Sequence, residues 1–201
     1  MKKNRFILFI VLLIFVFSCN KSSTTTYYIS DSFKAWSLFQ PGSYWVYLDE
    51  KKQMPDSIYL DSKPISYFTP PKPASIQYEI IDYQISNGFL NYAAIECGEN
   101  GSNLGLSDFY SNDSYALSTG VIDNTMTMVS ENCRLIERLD TMVINNYKFT
   151  NVIHTRDTNN FLTHIWRKDY YFAKNIGLLK FSIKTPKTDS TWSILRWHII
   201  Q

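Results

Sequence analysis

The 201-residue sequence predicts an all-β protein: an antiparallel sandwich or a curved, partly closed β-barrel, with one short helix near its N-terminus. Three observations carry that prediction. Phe, Trp and Tyr make up 16% of the chain while glycines number only seven, a composition that favours strands over helix or disorder. Segments of strict period-two alternation recur along the chain. Short polar turns divide them, with no helix-length crossover between, which disfavours a parallel α/β sheet.

The first segment does not belong to that body. Lys2, Lys3 and Arg5 precede twelve uninterrupted apolar residues, Phe6 to Phe17. As helix they would rise only about 18 Å, short of a hydrocarbon core of about 30 Å, so they read as a secretory h-region and not a membrane span. The run closes on Val16-Phe17-Ser18-Cys19, which resembles the lipobox of bacterial lipoproteins: an aliphatic at −3, a small residue at −1, then the cysteine. That resemblance implies a signal peptide over 1–18, cleavage before Cys19, and lipid on its sulfur and new amino group. Two or three acyl chains hold a protein on a membrane where a single chain does so only marginally. No Asp follows Cys19, and no acidic run that resembles a surface-export signal is present. By resemblance the default address is the outer membrane, periplasmic face. Residues 19–30, rich in Ser and Thr and without periodicity, predict a flexible tether.

A single antiparallel β domain is expected over 31–201, long enough to bury a core of its own. "DSFKAWSLF" (31–39) is its helix, with Asp31 or Ser32 as cap and Pro41-Gly42 as stop. Strands follow at "SYWVYLD", "SIYLDS" and "SIQYEIIDYQI", the last turning at Asn87-Gly88 into "FLNYAAIEC", since Asn-Gly supplies the positive φ of a tight hairpin. "LIERLDTMVI" and "YKFTNVIHT" flank a turn at Asn145-Asn146. "FLTHIWRKDYYF", "GLLKFSIKT" and "STWSILRWHII" complete the set.

Gly42 to Tyr47 ("GSYWVY") and Tyr170 to Phe181 ("YYFAKNIGLLKF") follow G-x-x-W-x-Y and Y-[YF]-A-x-x-[IV]-G-L-[LVI]-K patterns, with "WSILRW" closing the chain. Together they resemble uncharacterised Bacteroidetes-type envelope lipoproteins, similar to TapB-like or DUF3108-like domains, over roughly 36–197. The resemblance implies a β fold and no established activity. The residues also explain themselves: Asn175 and Gly177 suit the left-handed backbone of a tight turn, so Gly177 reads as a turn residue and not as a phosphate cradle.

Charge narrows the partners. The chain holds 20 Lys+Arg against 18 Asp+Glu; without Lys2, Lys3 and Arg5 the balance is 17 to 18. No basic patch remains for nucleic acid, so membrane attachment falls to lipid on Cys19. Cys97 and Cys133 remain as a pair, open to a disulfide in an oxidising compartment or to two buried thiols. A hairpin centred on Asn159 would set His154 and His164 opposite one another on one face. Two ligands are too few for a specific metal site, with Asp169 or His198 only a distant third. Trp166, Trp192 and Trp197 are candidates for a ligand surface, Trp192 and Trp197 falling on opposite faces because their spacing is odd. No G-x-S-x-G, H-E-x-x-H, Walker or G-x-G-x-x-G motif occurs. The reading that results is a lipid-anchored envelope protein without cofactor. It would be a non-enzymatic module binding a protein, small molecule or glycan, or serving assembly. An envelope hydrolase using carboxylate and histidine chemistry is the alternative.

Overall fold

The computed structural model describes residues 24–71, 75–86, 88–108, 111–161 and 164–201. The signal segment and Cys19 lie outside the described residues, as does Asn87. Strands are β1 (Thr25–Tyr27), β2 (Tyr44–Asp49), β3 (Met54–Ser62), β4 (Ile65–Phe68), β5 (Ile76–Ser86), β6 (Leu90–Gly98), β7 (Gly101–Asp108), β8 (Ser111–Ser118), β9 (Cys133–Ile144), β10 (Tyr147–Phe161), β11 (His164–Ala173), β12 (Gly177–Lys184) and β13 (Asp189–His198). Helices are α1 (Asp31–Ser37) and a single turn, α2 (Thr119–Ile122). The strands form one sheet in the order β8-β7-β6-β5-β3-β2-β13-β12-β11-β10-β9, with β1 and β4 both joined to β5. Every neighbour pair is antiparallel except β1–β5, which is parallel.

The sheet curls until its ends meet, nearly closing a barrel. Thr155 of β10 donates its hydroxyl to the Ala116 carbonyl of β8 at 2.6 Å. Arg138 of β9 reaches the carbonyl of Val121 beside it. Curling leaves no long open edge at this seam, which is how a large antiparallel sheet avoids presenting a template for aggregation.

Alternation places the apolar set inside. Phe89, reached across the β5–β6 turn, stacks on Trp192 (4.7 Å between centroids) and Phe181 (5.3 Å) and meets the edge of Tyr47 at 5.1 Å. The turn itself depends on Gly88. Its φ is +86°, and a Cβ there would come within 2.8 Å of the Ser57 carbonyl oxygen of β3, so no side chain fits.

Helix α1 closes one end of this interior. Ser30, not Asp31 or Ser32, is its cap, its hydroxyl accepting from Phe33 N–H at 3.3 Å. Phe33 (fully buried) and Trp36 enter the core. The Tyr83 hydroxyl donates to the Ser37 carbonyl and Asn175 N–H to the Ala35 carbonyl, each at 2.6 Å. Chain entering from residue 24 is therefore tied down earlier than a tether to Ser30 predicts. β1 pairs with β5, Ile29 is buried, and Ile29 N–H donates to the buried carboxylate of Glu79 at 2.9 Å.

Four strands and the α2 turn go beyond the sequence reading. β1 and β4 are short, and β7 ("GSNLGLSD") and β8 carry many Ser, Asn and Gly. Their pairing comes from neighbours and not from propensity.

Candidate functional site

Three places in the molecule bring chemistry together, and each is built by cross-strand register. The first lies on the outer face of β9, β10 and β11. His154 stands opposite Glu137 on one side and Tyr171 on the other. Its Nδ1 is 3.0 Å from Glu137 Oε1 and its Nε2 is 2.8 Å from Asp169 Oδ1, while the Tyr171 ring stacks on it at 4.1 Å. Arg156 Nε donates to Asp169 Oδ1 at 2.6 Å and Arg167 Nε to Oδ2 at 2.9 Å. His154 and Asp169 are each only 3% exposed although they face outward, because the aromatic ring and the arginine stems cover them. Burial alone pushes the Asp169 carboxyl up, but the hydrogen bonds from His154 and Arg156 and the charges of Arg156 and Arg167 outweigh it and hold it below the ordinary carboxylate range. Both ring nitrogens of His154 are occupied by carboxylates, and among the described residues neither meets a hydroxyl or thiol. The arrangement clamps three strands together.

The hairpin register explains why His164 is not part of it. Phe161 pairs with His164, so the turn falls after Asn159, and His154 and His164 are seven positions apart along β10–β11. The facing pair expected from a turn centred on Asn159 is not formed. Asp169 does meet His154, whereas His198 stacks on Tyr44 far along the sheet. Among the described residues no group of three His, Cys, Asp or Glu is placed to hold a metal ion.

The second place is the interior side of the same strands. Asp157 pairs directly with Lys168 on β11 and with Cys133 on β9, all three buried. Lys168 Nζ lies 4.8 Å from the Trp166 ring centroid, a cation–π contact in a desolvated setting. Cys133 is the buried thiol of the two, its acidity suppressed first by burial and then by Asp157; burial likewise raises the thiol of Cys97. Both cysteines are free. Cys97 pairs with Ser102 of β7 while Cys133 opens β9, and this separation in the sheet takes the place of the bridge the even pair allowed.

Of the three tryptophans, Trp192 is core, 2% exposed. The ladder between β13 and β2 slips by one residue at Leu195, so Trp192 pairs with Asp49 but Trp197 with Trp45, both on the inward face. That bulge reverses the parity that odd spacing predicts. Trp197 packs against Phe149 (5.4 Å) and Tyr147 (5.0 Å), and Trp166 lies under Lys168. They do not converge on one surface. A partly open cavity of about 70 Å³ lies elsewhere, among Trp36, Tyr47, Tyr83, Leu104 and Phe172. Small-molecule sites run from about 300 Å³ upward, so it holds no ligand of that size as it stands.

The third place, missed from sequence, is the outer face of β5 to β8. Ala94 and Gly105 are direct neighbours there, and Gly105 pairs with Tyr115. With no side chain on Gly105, the Tyr115 ring lies over it, 3.9 Å from where a Cβ would stand, and its hydroxyl donates to Glu96 at 2.7 Å. Tyr92 reaches back to Asp82 at 2.8 Å, and Tyr78 donates to Glu99 at 3.1 Å. The result is a row of tyrosines laid across the sheet and fixed by carboxylates. The alternation of small residue and Tyr on adjacent strands was the available signal, unreadable until the strands are known to be neighbours.

No protein-family model matches the sequence, and no curated relative is found. Among solved structures, the chain is similar to a Bacteroides fragilis protein described as exported by inference and as having a YmcC-like fold. That match has a TM-score of 0.45 at 10% identity and covers 82% of this chain and 99% of the other. At that score the likeness carries no argument about function.

Proposed function

We propose that this chain is a lipid-anchored protein of the cell envelope, held to the outer membrane through Cys19 on its periplasmic face. Its β body is a non-enzymatic binding or assembly module. The lipobox-like Val16-Phe17-Ser18-Cys19 supports the anchor. The observation that carries the binding half is the tyrosine row of β5 to β8. Tyr92 and Tyr115 are 37% and 39% exposed, yet their hydroxyls are already fixed by Asp82 and Glu96. Aromatic side chains held in place before contact lose little entropy when a partner covers them, which is what makes tyrosine effective at interfaces. The small size of the cavity leaves the outside as the place of contact, and the broad outer face of β5 to β8 suits a protein partner better than a small ligand.

Photo-cross-linking in the native host tests this, with the reactive group placed at Tyr92 or Tyr115 and, as control, at exposed Val143. A discrete adduct from the first two and none from Val143 supports the module. Equal or absent adducts at all three overturn it. The hydrolase alternative rests on His154 between Glu137 and Asp169. It stands only if a hydrolytic activity of the purified chain disappears in His154→Gln while the fold is kept.

A further inference from the structure

All four residues of β4 are exposed: both alternating faces of Ile65-Ser66-Tyr67-Phe68 meet solvent. Ile65, Tyr67 and Phe68 are 52%, 51% and 52% exposed. It continues the line of β3 along β5 past the barrel wall, pairing Phe68 with Tyr78. Against the same end of β5 lies β1, where Tyr27 also pairs with Tyr78 and the two rings stack at 5.5 Å; Tyr28, next along, is 63% exposed. The two strands form a fin of aromatic and aliphatic side chains. Neither contains a charged residue. Tyr78 joins the fin to the tyrosine row, its hydroxyl donating to Glu99, whereas Tyr92 and Tyr115 lie farther along the sheet on β6 and β8. An exposed, uncharged, apolar edge is normally covered by something.

We infer that the fin lies in the interfacial zone of the bilayer that holds the lipid on Cys19. This rests on the anchor proposed above. Thr25 is six residues from Cys19, which limits their separation to about 20 Å even at full extension. β1 therefore stays near the bilayer surface, and β4, in the same patch, stays with it. Tyr and Phe suit that depth: an apolar body enters the acyl boundary while the phenol oxygen keeps to the headgroups. A short lipid tether sets only distance from the membrane. The fin sets orientation, turning the body so that Tyr92 and Tyr115, beyond Tyr78 on the sheet, project into the periplasm.

The test uses the full-length lipidated chain in phosphatidylethanolamine/phosphatidylglycerol vesicles containing brominated phosphatidylcholine. Phe68→Trp adds a reporter on the fin; Met54→Trp adds one at the far end of β3, where Met54 is 62% exposed. The emission added by Phe68→Trp is expected to fall by about half or more, as for a ring at interfacial depth, and that added by Met54→Trp to stay unquenched. If the protein floats with vesicles but both reporters are equally unquenched, the fin is not seated and the inference fails while the anchor stands. If the protein does not float, the anchor fails and the inference with it. Quenching of Phe68→Trp that persists in Tyr67→Asp also overturns it, since a carboxylate on the fin must lift it out.

Discussion

On β10 and β11, charged side chains are buried; on β4, apolar ones are exposed. His154, Asp157, Lys168 and Asp169 are each 3% exposed or less, while Ile65, Tyr67 and Phe68 are over half exposed. Residue type alone predicts the reverse. The difference is coverage. β10 sits between two long partners, so each of its side chains has neighbours on both sides, and the charges there are paired across strands. Among the described residues β4 pairs only with β5, and all four of its residues are exposed. Burial on a sheet is a property of the neighbourhood, and polar groups tolerate it when their partners arrive from adjacent strands.

That contrast can be broken from either side. The largest effect is expected where coverage is complete: Phe33→Ala, which empties the core beneath α1, should cost about 3–5 kcal/mol in urea unfolding. Asp169→Asn should cost about 3 kcal/mol, because Arg156, Arg167 and His154 then surround a neutral group. The same residue sharpens the comparison through pH. Its carboxyl is held below the ordinary range, so the stability it adds is present above about pH 4 and is lost as pH falls through the lowered value. The wild-type urea midpoint should therefore drop on acidification below about pH 4, with Asp169→Asn starting lower at pH 7 and dropping less. Gly177→Ala should cost about 1–3 kcal/mol, since φ is +88° and the new Cβ would stand 2.9 Å from the Phe39 ring. Phe68→Ser should be the smallest, within about 0.5 kcal/mol in the absence of membrane. A large loss there would mean that β4 is covered in solution, and the contrast between the regions would close.

Parts of both regions are legible in the sequence. Asn145 and Asn146 adopt φ of 48° and 70°, and Asn175 and Gly177 adopt 63° and 88°, the left-handed values that these residue types announce. Tyr170 and Phe172 face inward as alternation requires. The candidate sites were less accessible. His154 stands out in the sequence, but its partner is set by a turn lying after Asn159, and the place of that turn makes it face Tyr171 and not His164, seven residues earlier on β11. The tyrosine row needs β7 and β8, whose Ser, Asn and Gly content hides them.

By itself the sequence determined what is local: fold class from alternation, turns from residues that accept positive φ, the capped helix, and an N-terminal segment with the marks of export and lipid attachment. Each depends on a few consecutive residues, whose backbone preferences act wherever the chain goes. Only the tertiary structure decided the rest: the seam between β8 and β10, the slip at Leu195 that turned Trp197 inward, the paired charges of β10 and β11, and the bare fin of β1 and β4. Those depend on which strands become neighbours and in which register. A single inserted residue shifts every later side chain to the other face, so local preference cannot supply that information.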